Sequence, residues 1–145
     1  MSEPPALLDV NVPMYAAGRD HPLRSPCARL MTMIADGELD VVIDTETVQE
    51  VLYRYGALGQ IPVAVAVARS LMAIVPKVLA VTASDMVRAV EVFEMHAAAG
   101  LTARDAIHVA VMQGNGIDRI ISTDRHFDQV AGITRLDPAA LAGAP

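Results

Sequence analysis

Four acidic residues stand at the ends of apolar runs or beside apolar stripes, where a folded chain gains little from charge. They are Asp9, Glu50, Asp105 and Asp124. A carboxylate buried in such a place is costly unless it is hydrogen-bonded, paired or bound to a cation. Four carboxylates that converge would repel one another and would form a strong site for a hard divalent cation. The sequence therefore contains a candidate metal site, provided that the fold brings these acids together.

Asp9 closes the apolar run Ala6-Leu7-Leu8, and Asn11 follows two residues later. The side chain of Asn11 could orient Asp9 or hold a metal-bound water, because it stands near the same strand end. Asp9 has a second interpretation, as an Asx-type cap for the turn or helix that follows the strand.

Asp124 follows the apolar run Ile120-Ile121 and the two hydroxyl residues Ser122 and Thr123. Thr123 could hydrogen-bond a metal-bound water, or it could cap the next turn. Asp128, one turn further along, is either an accessory ligand or a residue of a helix surface.

The acids within helical patterns also have local interpretations. Thr47-x-x-Glu50 has the form of a capping box, and Glu50 with Arg54 makes a favourable i,i+4 pair. Against that local reading, Glu50 adjoins the apolar stripe of its helix rather than the opposite face. Glu46, one turn earlier, is the alternative site acid.

Thr102-x-x-Asp105 likewise places Asp105 in the first turn of a helix, where the helix dipole stabilises its charge. A carboxylate that stays ionised in this position is also a ready metal ligand. His108 lies one turn further along the same face. It could orient a water, contact the substrate or be a hydrogen-bonded core histidine.

Short β-like runs alternate with helical patterns along the chain. The predicted strands are Ala6–Val10, Asp40–Asp44, Lys77–Val81, Arg119–Ser122 and Ile133–Leu136. The predicted helices are Leu23–Ala35, Thr45–Leu58, Pro62–Val75, Ser84–Ala99 (with Ser84 as its N-cap) and Thr102–Gln113. This alternation predicts an α/β fold with a short, mainly parallel sheet between helices. Sites in such sheets form at the carboxyl ends of the strands, where Asp9 and Asp124 stand.

The composition bounds the class of protein. A chain of 145 residues suits one domain over residues 1–145, and its 53% apolar residues imply a large core. No apolar run approaches the roughly 20 residues of a membrane span, and no signal-type segment opens the chain, so we expect a cytoplasmic protein. The single cysteine, Cys27, excludes intramolecular disulfides and cysteine zinc sites. The net charge of −6 argues against broad nucleic-acid binding, but it is compatible with a nuclease whose site consists of acids.

Several other chemistries lack their motifs. The four histidines show no His-x-x-x-His spacing, which argues against a zinc hydrolase, and no glycine-rich phosphate loop is present. A phosphoacceptor receiver domain needs two acids after its first strand and a lysine after its last, whereas here Asp9 is alone and Lys77 begins a strand. Asn11 occupies the second acidic position of an Asp-x-Asp phosphatase.

Four segments, taken in order, resemble the PIN-domain ribonucleases, and most closely the VapC-type toxins of bacterial toxin–antitoxin pairs. They are Leu7-Leu8-Asp9-Val10-Asn11, Val48-Gln49-Glu50-Val51-Leu52, residues 101–110 (LTARDAIHVA) and residues 121–128 (ISTDRHFD). The segments extend over nearly the whole chain, and the third and fourth are specific when taken together. The resemblance implies a PIN-like three-layer fold.

The resemblance also implies that the four acids jointly hold Mg²⁺ or Mn²⁺, with Asn11 and Thr123 as hydrogen-bonding supports. A water acidified by the metal would then attack a phosphodiester bond of RNA, which predicts an endoribonuclease. Arg104 and Arg125, each beside a site acid, could contact RNA phosphates or form salt bridges with the acids.

For partners, the resemblance implies an RNA substrate, a small antitoxin protein that blocks the site, and frequent homodimers. The apolar helices predicted over Pro62–Val75 and Ser84–Ala99 could supply those interfaces or belong to the core. Two alternatives stay open: a PIN-type nuclease of RNA processing, and a catalytically inactive PIN-like binding module. Retention of all four acids argues against the inactive module.

Overall fold

The computed structural model describes residues 4–143. Its strands are β1 (Ala6–Leu8), β2 (Val41–Asp44), β3 (Val78–Leu79), β4 (Arg119–Ile121) and β5 (Thr134–Leu136). They form one sheet in the spatial order β3-β2-β1-β4-β5, and every pair within it is parallel. Each strand coincides with a predicted one but is one to three residues shorter, because the chain turns into helices and loops directly at the strand ends.

Seven α-helices connect and cover these strands within the described part of the chain. They are α1 (Asn11–Ala17), α2 (Arg24–Ala35), α3 (Thr45–Ala57), α4 (Ile61–Ile74), α5 (Ala83–His96), α6 (Ala103–Gly114) and α7 (Pro138–Leu141). Short 3₁₀ turns cover Ala97–Ala99 and Arg125–Gln129. The sequence analysis did not predict α7 and left α1 open as a turn or helix, because helices of 4 and 7 residues contain too few turns to show an apolar period.

The sheet separates two layers of helices. Successive strand residues point to opposite faces, so that Leu8 and Ile43 pack on one side while Leu7 and Ile120 pack on the other. The first side is covered by α1, α2, α3, α4 and α7, and the second by α5 and α6. The predicted three-layer α/β fold is therefore confirmed.

The start of α5 differs from the prediction. Thr82, and not Ser84, is the N-cap: its hydroxyl accepts a hydrogen bond from the Asp85 amide at 3.1 Å, and the Asp85 carboxylate accepts one from the Thr82 amide at 2.9 Å. This reciprocal pair satisfies two backbone donors that a cap at Ser84 would leave to solvent. The predicted Ser84 cap is wrong for that reason.

The parallel topology gathers the functional elements at one edge of the sheet. The strands β1, β2 and β4 end at this edge, α3 begins immediately after β2, and α3 contacts α6. Residues distant in sequence are thereby placed side by side. None of the helices between residues 4 and 143 is both long enough and apolar enough to cross a membrane.

Candidate functional site

A cavity of about 510 Å³ opens at the carboxyl edge of the sheet. All four acids singled out from the sequence line it, and each comes from a different element: Asp9 follows β1, Glu50 lies in α3, Asp105 lies in α6 and Asp124 follows β4. We call it the acidic cavity. Polar and charged side chains complete much of its wall: Asn11, Glu46, Arg54, Thr102 and Arg104.

Asp9 is buried, and three donors hold its carboxylate. The Val10 amide donates to Oδ1 at 2.8 Å, while the Ser122 hydroxyl and the Asn11 side-chain amide donate to Oδ2 at 2.6 and 3.2 Å. Hydrogen bonds from neutral donors orient a carboxylate and leave its charge in place. Asp9 is thus positioned by both local and long-range contacts.

Ser122 links the two strand ends that carry Asp9 and Asp124. Besides its bond to Asp9, its hydroxyl accepts hydrogen bonds from the Asn11 side-chain amide at 3.2 Å and from the Asp124 backbone amide at 3.0 Å. The sequence analysis gave Ser122 no role beyond ending a predicted strand. The available signal was a hydroxyl group at a buried strand end, two residues before a site acid.

Thr123 contributes through its main chain. Its amide donates to Asn11 Oδ1 at 3.4 Å, so Asn11 bridges the loops after β1 and β4. Thr123 itself does not line the acidic cavity.

A fifth acid, Asp44, ends β2 and is fully buried. It caps α3 by accepting a hydrogen bond from the Thr47 amide at 2.9 Å, and its other oxygen lies 2.7 Å from His108 Nδ1. The predicted Thr47–Glu50 capping box is wrong, because Asp44 and Thr47 form the box instead. Asp44 meets the same criterion that selected Asp9, an acid at the end of an apolar strand, yet the sequence analysis passed over it.

His108 is a buried core histidine, one of its three predicted roles. Its Nε2 lies 3.7 Å from Glu50 Oε1 and has no hydrogen-bond partner among residues 4–143. Burial lowers the pKa of His108, but the contacts with Asp44 and Glu50 and the charge of Asp9 outweigh it, and the pKa lies well above its usual value. Burial raises the pKa of Asp44, and the bonds from His108 and Thr47 overcome this and lower it. The raised pKa favours the protonated form of His108, between Asp44 and Glu50.

Glu50 is surrounded by cations. Its Oε2 lies 3.5 Å from Arg54 Nη1 and 3.6 Å from Arg104 Nη1, on the side away from His108. The predicted i,i+4 pair with Arg54 is confirmed. Arg54, Arg104 and His108 therefore all face a carboxylate that is only 9% exposed.

Asp105 and Asp124 take part in helix capping as well as lining the cavity: Asp105 completes the capping box of Thr102, and Asp124 is the N-cap of the 3₁₀ turn. The capping box between Thr102 and Asp105 is present, with the Asp105 amide 3.1 Å from the Thr102 hydroxyl. Asp124 Oδ1 accepts a hydrogen bond from the His126 amide at 2.9 Å and lies 2.7 Å from His126 Nδ1. The local and functional interpretations of these acids are compatible, because each carboxylate caps a turn at the cavity wall.

Two of the acids, Asp9 and Asp105, have raised pKa values in the absence of a cation. Burial raises the pKa of Asp9 to about 6; His108 and Ser122 oppose this rise, and the charges of Asp105 and Glu50 add to it. Burial also raises the pKa of Asp105, with a contribution from the charge of Asp124. A bound cation would remove the penalty on both groups.

The remaining charged residues divide between the cavity and the surface. Arg104 Nε lies 3.3 Å from Glu46 Oε1, so the predicted salt bridge to the acids is present. The Arg104 guanidinium also lies 5.1 Å from the centre of the Tyr53 ring. Arg125 is exposed. Asp128 is paired with Arg135 at 2.9 and 3.3 Å and does not line the acidic cavity.

The donor set fits a hard divalent cation. Donor atoms of Asp9, Glu50 and His108 lie within 4.8 Å of one another. His108 Nδ1 is held by Asp44 and His108 does not line the acidic cavity, so the donors that the cavity wall presents are mainly carboxylate oxygens, the type that Mg²⁺ and Mn²⁺ prefer. Asp105 and Asp124 add two further carboxylates to the same cavity wall.

Comparisons with known proteins identify the class. Residues 6–133 match the PIN domain family. Two relatives, the VapC ribonuclease Mb1869c of Mycobacterium bovis and ribonuclease VapC13 of Mycobacterium tuberculosis, are each 35% identical over 130 residues, which is 90% of this chain and 98% of theirs. Ribonuclease VapC23 of Mycobacterium tuberculosis is 36% identical over 120 residues, 81% of this chain and 90% of the relative.

Solved structures show the same fold. Mycobacterium tuberculosis VapC20, a sarcin–ricin loop cleaving toxin, superposes with a TM-score of 0.72 at 21% identity, over 89% of this chain and 96% of that one. The DNA-bound VapBC structure from Salmonella typhimurium gives a TM-score of 0.71 at 14% identity, over 92% and 98% of the two chains.

The chain therefore belongs to the PIN-domain family, a family of nucleases. Within it, its relatives are the VapC-type ribonucleases, so the prediction of a PIN-domain ribonuclease is confirmed. The enzyme class predicted from the sequence, a hydrolase that acts on RNA, is confirmed with it.

Proposed function

We propose that this protein is an Mg²⁺- or Mn²⁺-dependent endoribonuclease that acts as the toxin of a toxin–antitoxin pair. Its site residues are Asp9, Glu50, Asp105 and Asp124. The observation that supports this assignment is the convergence of four carboxylates from four elements on one cavity, where burial and neighbouring charge raise the pKa of Asp9 to about 6. Such an arrangement is unfavourable for the fold alone, and a cation would compensate for it.

A divalent cation in this cavity would supply Lewis-acid chemistry, lowering the pKa of water and neutralising charge on the phosphate. The chain provides the orientation. Ser122 and Asn11 hold the Asp9 carboxylate, and the Thr102 backbone amide donates to the Asp105 carboxylate at 3.5 Å. A carboxylate fixed by outer hydrogen bonds loses little freedom when it binds a metal, which favours affinity and defined geometry.

Both carboxylate oxygens of Glu50 lie near a nitrogen-bearing side chain. His108 presents Nε2 at 3.7 Å from one Glu50 oxygen, and the two arginines contact the other. The charge on His108 limits repulsion within the cluster without occupying a ligand position. We propose that His108 and Asp44 are positioning residues for the site rather than metal ligands.

RNA and this protein both carry negative charge, so they repel each other. The net charge of the chain is −6 and the acidic cavity repels phosphate, so cation binding should precede or accompany substrate binding. Arg104 forms salt bridges with Glu46 and Glu50. Arg125 is exposed beside Asp124, so it is the better candidate of the two predicted arginines for a phosphate contact.

The proposed partners are a cognate antitoxin and a second copy of this chain. Structures with the same fold include a toxin–antitoxin complex from Klebsiella pneumoniae and VapBC2 from Rickettsia felis bound to a promoter DNA fragment. In this protein α5 exposes Val87, Val90 and Met95 at 65%, 65% and 76% of their surfaces, which supports an interface on that helix. A nuclease of RNA processing is the alternative, and a neighbouring gene for a small DNA-binding protein would favour the toxin.

The test is cleavage of total RNA by the purified protein. We expect cleavage with Mg²⁺ or Mn²⁺ and none with EDTA. The variants Asp9→Asn and Asp105→Asn, purified in the same way, should be inactive while remaining folded by circular dichroism. Cleavage at the wild-type rate by both variants, or cleavage that survives EDTA, would refute the proposed site.

A further inference from the structure

A second cavity adjoins the acidic one. It also measures about 510 Å³, and it shares Asn11 and Arg54 with the wall of the acidic cavity. Its own lining includes Tyr15, Arg19 and His21, from the end of α1 and the loop after it. This volume lies within the range of small-molecule sites, and none of the four site acids lines it.

The second cavity has an aromatic wall. The rings of Tyr15 and His21 lie 4.8 Å apart between centroids, with planes tilted by 34°. His21 Nδ1 accepts a hydrogen bond from the Leu23 amide at 3.0 Å, so in this arrangement Nε2 carries the ring proton and is the donor. The pair therefore combines a surface for base stacking with a fixed hydrogen-bond donor.

The second cavity also carries positive charge, from Arg19 and Arg54. Arg19 is exposed and forms no ion pair with any residue from 4 to 143. The Arg54 side chain is 48% exposed, and within residues 4–143 its ion pair is with Glu50 Oε2 at 3.5 Å. Asp20 lines the same cavity and opposes anions, but two guanidinium groups outweigh one carboxylate. Guanidinium groups bind phosphate oxygens in pairs, which suits a nucleotide.

We propose that the second cavity binds the RNA nucleotide next to the scissile phosphate, with its base against Tyr15 and His21 and its phosphate at Arg19. The inference rests on the proposed nuclease function. Carboxylates outnumber arginines in the wall of the acidic cavity, so the substrate needs neutralising and stacking contacts beside it. Arg54 and Asn11, shared by both walls, lie where one nucleotide would follow the next.

The test is a nuclear magnetic resonance titration of ¹⁵N-labelled protein in Mg²⁺. Each of the four nucleoside 5′-monophosphates is added separately, with inorganic phosphate as the control ligand. At least one nucleotide should shift the amide signals of Tyr15, Arg19 and His21, and phosphate should shift them less. Arg19→Ala and Tyr15→Leu should each weaken nucleotide binding about tenfold.

The variants are chosen to separate binding from folding. Tyr15 packs against the core, so leucine preserves apolar volume there, while Arg19 is exposed and its removal leaves the core intact. Arg69→Ala is the matched control, since it removes an exposed arginine of α4 that lines neither cavity. Its nucleotide affinity should equal that of the wild type.

The outcomes distinguish this inference from the nuclease function. If no nucleotide shifts these signals, or if Arg19→Ala and Tyr15→Leu bind as the wild type does, the nucleotide site is wrong. If the protein shows that result but still cuts RNA, only the nucleotide site in the second cavity is refuted. If the protein binds nucleotides here but cuts no RNA in Mg²⁺ or Mn²⁺, the nuclease proposal is refuted instead.

Discussion

His108 Nδ1 lies 2.7 Å from Asp44 Oδ2 in the interior of the protein, and the two side chains are 1% and 0% exposed. His126 Nδ1 lies at the same distance, 2.7 Å, from Asp124 Oδ1, but these side chains are 52% and 30% exposed. The two pairs differ in burial and not in length. They therefore separate the contribution of a buried His–Asp contact from that of a partly solvated one.

Removing His108 should be far more damaging than removing His126. His108→Ala leaves the Asp44 carboxylate buried without its main partner, which costs about 3–5 kcal/mol. His126→Ala should cost about 0–1 kcal/mol, because solvent screens the exposed pair. Urea unfolding at pH 7 measures both values. Similar losses in the two variants would show that the buried pair does not stabilise the fold as described.

The stability of the metal-free protein should fall as the pH rises from about 4 to 8. The pKa of Asp9 is raised from 3.8 to about 6, so its protonated form favours the fold, and this stability is lost as the pH rises through 6. His108 also has a raised pKa, so its contribution to stability is complete below pH 6.5 and is lost as the pH rises above that value. Asp44 acts oppositely, because its pKa is lowered and its contribution disappears as the pH falls below 3.8.

Thermal unfolding in EDTA across this pH range tests the assignment. About two pKa units on Asp9 correspond to roughly 3 kcal/mol. Asp9→Asn should flatten the profile between pH 4 and 6, and Mg²⁺ should restore the wild-type protein at pH 8. A wild-type profile in EDTA that rises toward pH 8 would contradict the origin given for the raised pKa of Asp9.

Ser122→Ala should weaken the site without removing any proposed ligand. The variant loses the 2.6 Å bond to Asp9 and the acceptor for the Asp124 amide, so both acids gain freedom. Loss of such an outer hydrogen bond reduces metal affinity about 10–100-fold. Higher Mg²⁺ concentrations should therefore recover activity in Ser122→Ala but not in Asp9→Asn. Equal Mg²⁺ requirements in Ser122→Ala and the wild type would show that Ser122 has no part in positioning.

The sequence analysis predicted the fold well because the strands and the longer helices have clear apolar patterns. It placed Asp9 and Asp124 at one end of the sheet by the rule that sites form where parallel strands end, and it added Glu50 and Asp105 through the resemblance to PIN-domain ribonucleases. It missed Asp44 although the same rule applies, because Asp44 also belongs to an ordinary helix start. Asp44 pairs with His108, which lies 64 residues further along the chain, and this contact is not visible in the local sequence.

Other details could not be read from spacing. Ser84 and Thr82 are both reasonable caps in sequence, and only the reciprocal contact with Asp85 separates them. The role of Ser122 depends on β1 and β4 being adjacent, a relationship between residues 113 positions apart. The second cavity depends on α1, whose 7 residues gave no periodic signal.

The most direct test of the central claim, that the four acids form one cation site, is Mn²⁺ binding followed by electron paramagnetic resonance. Wild-type protein should bind Mn²⁺ saturably and in competition with Mg²⁺, and Asp9→Asn and Asp105→Asn should each lose at least about tenfold in affinity. Asp128→Asn is the matched control, because Asp128 pairs with Arg135 away from the acidic cavity, and it should bind as the wild type does. Equal Mn²⁺ affinity in wild type, Asp9→Asn and Asp105→Asn would contradict the account.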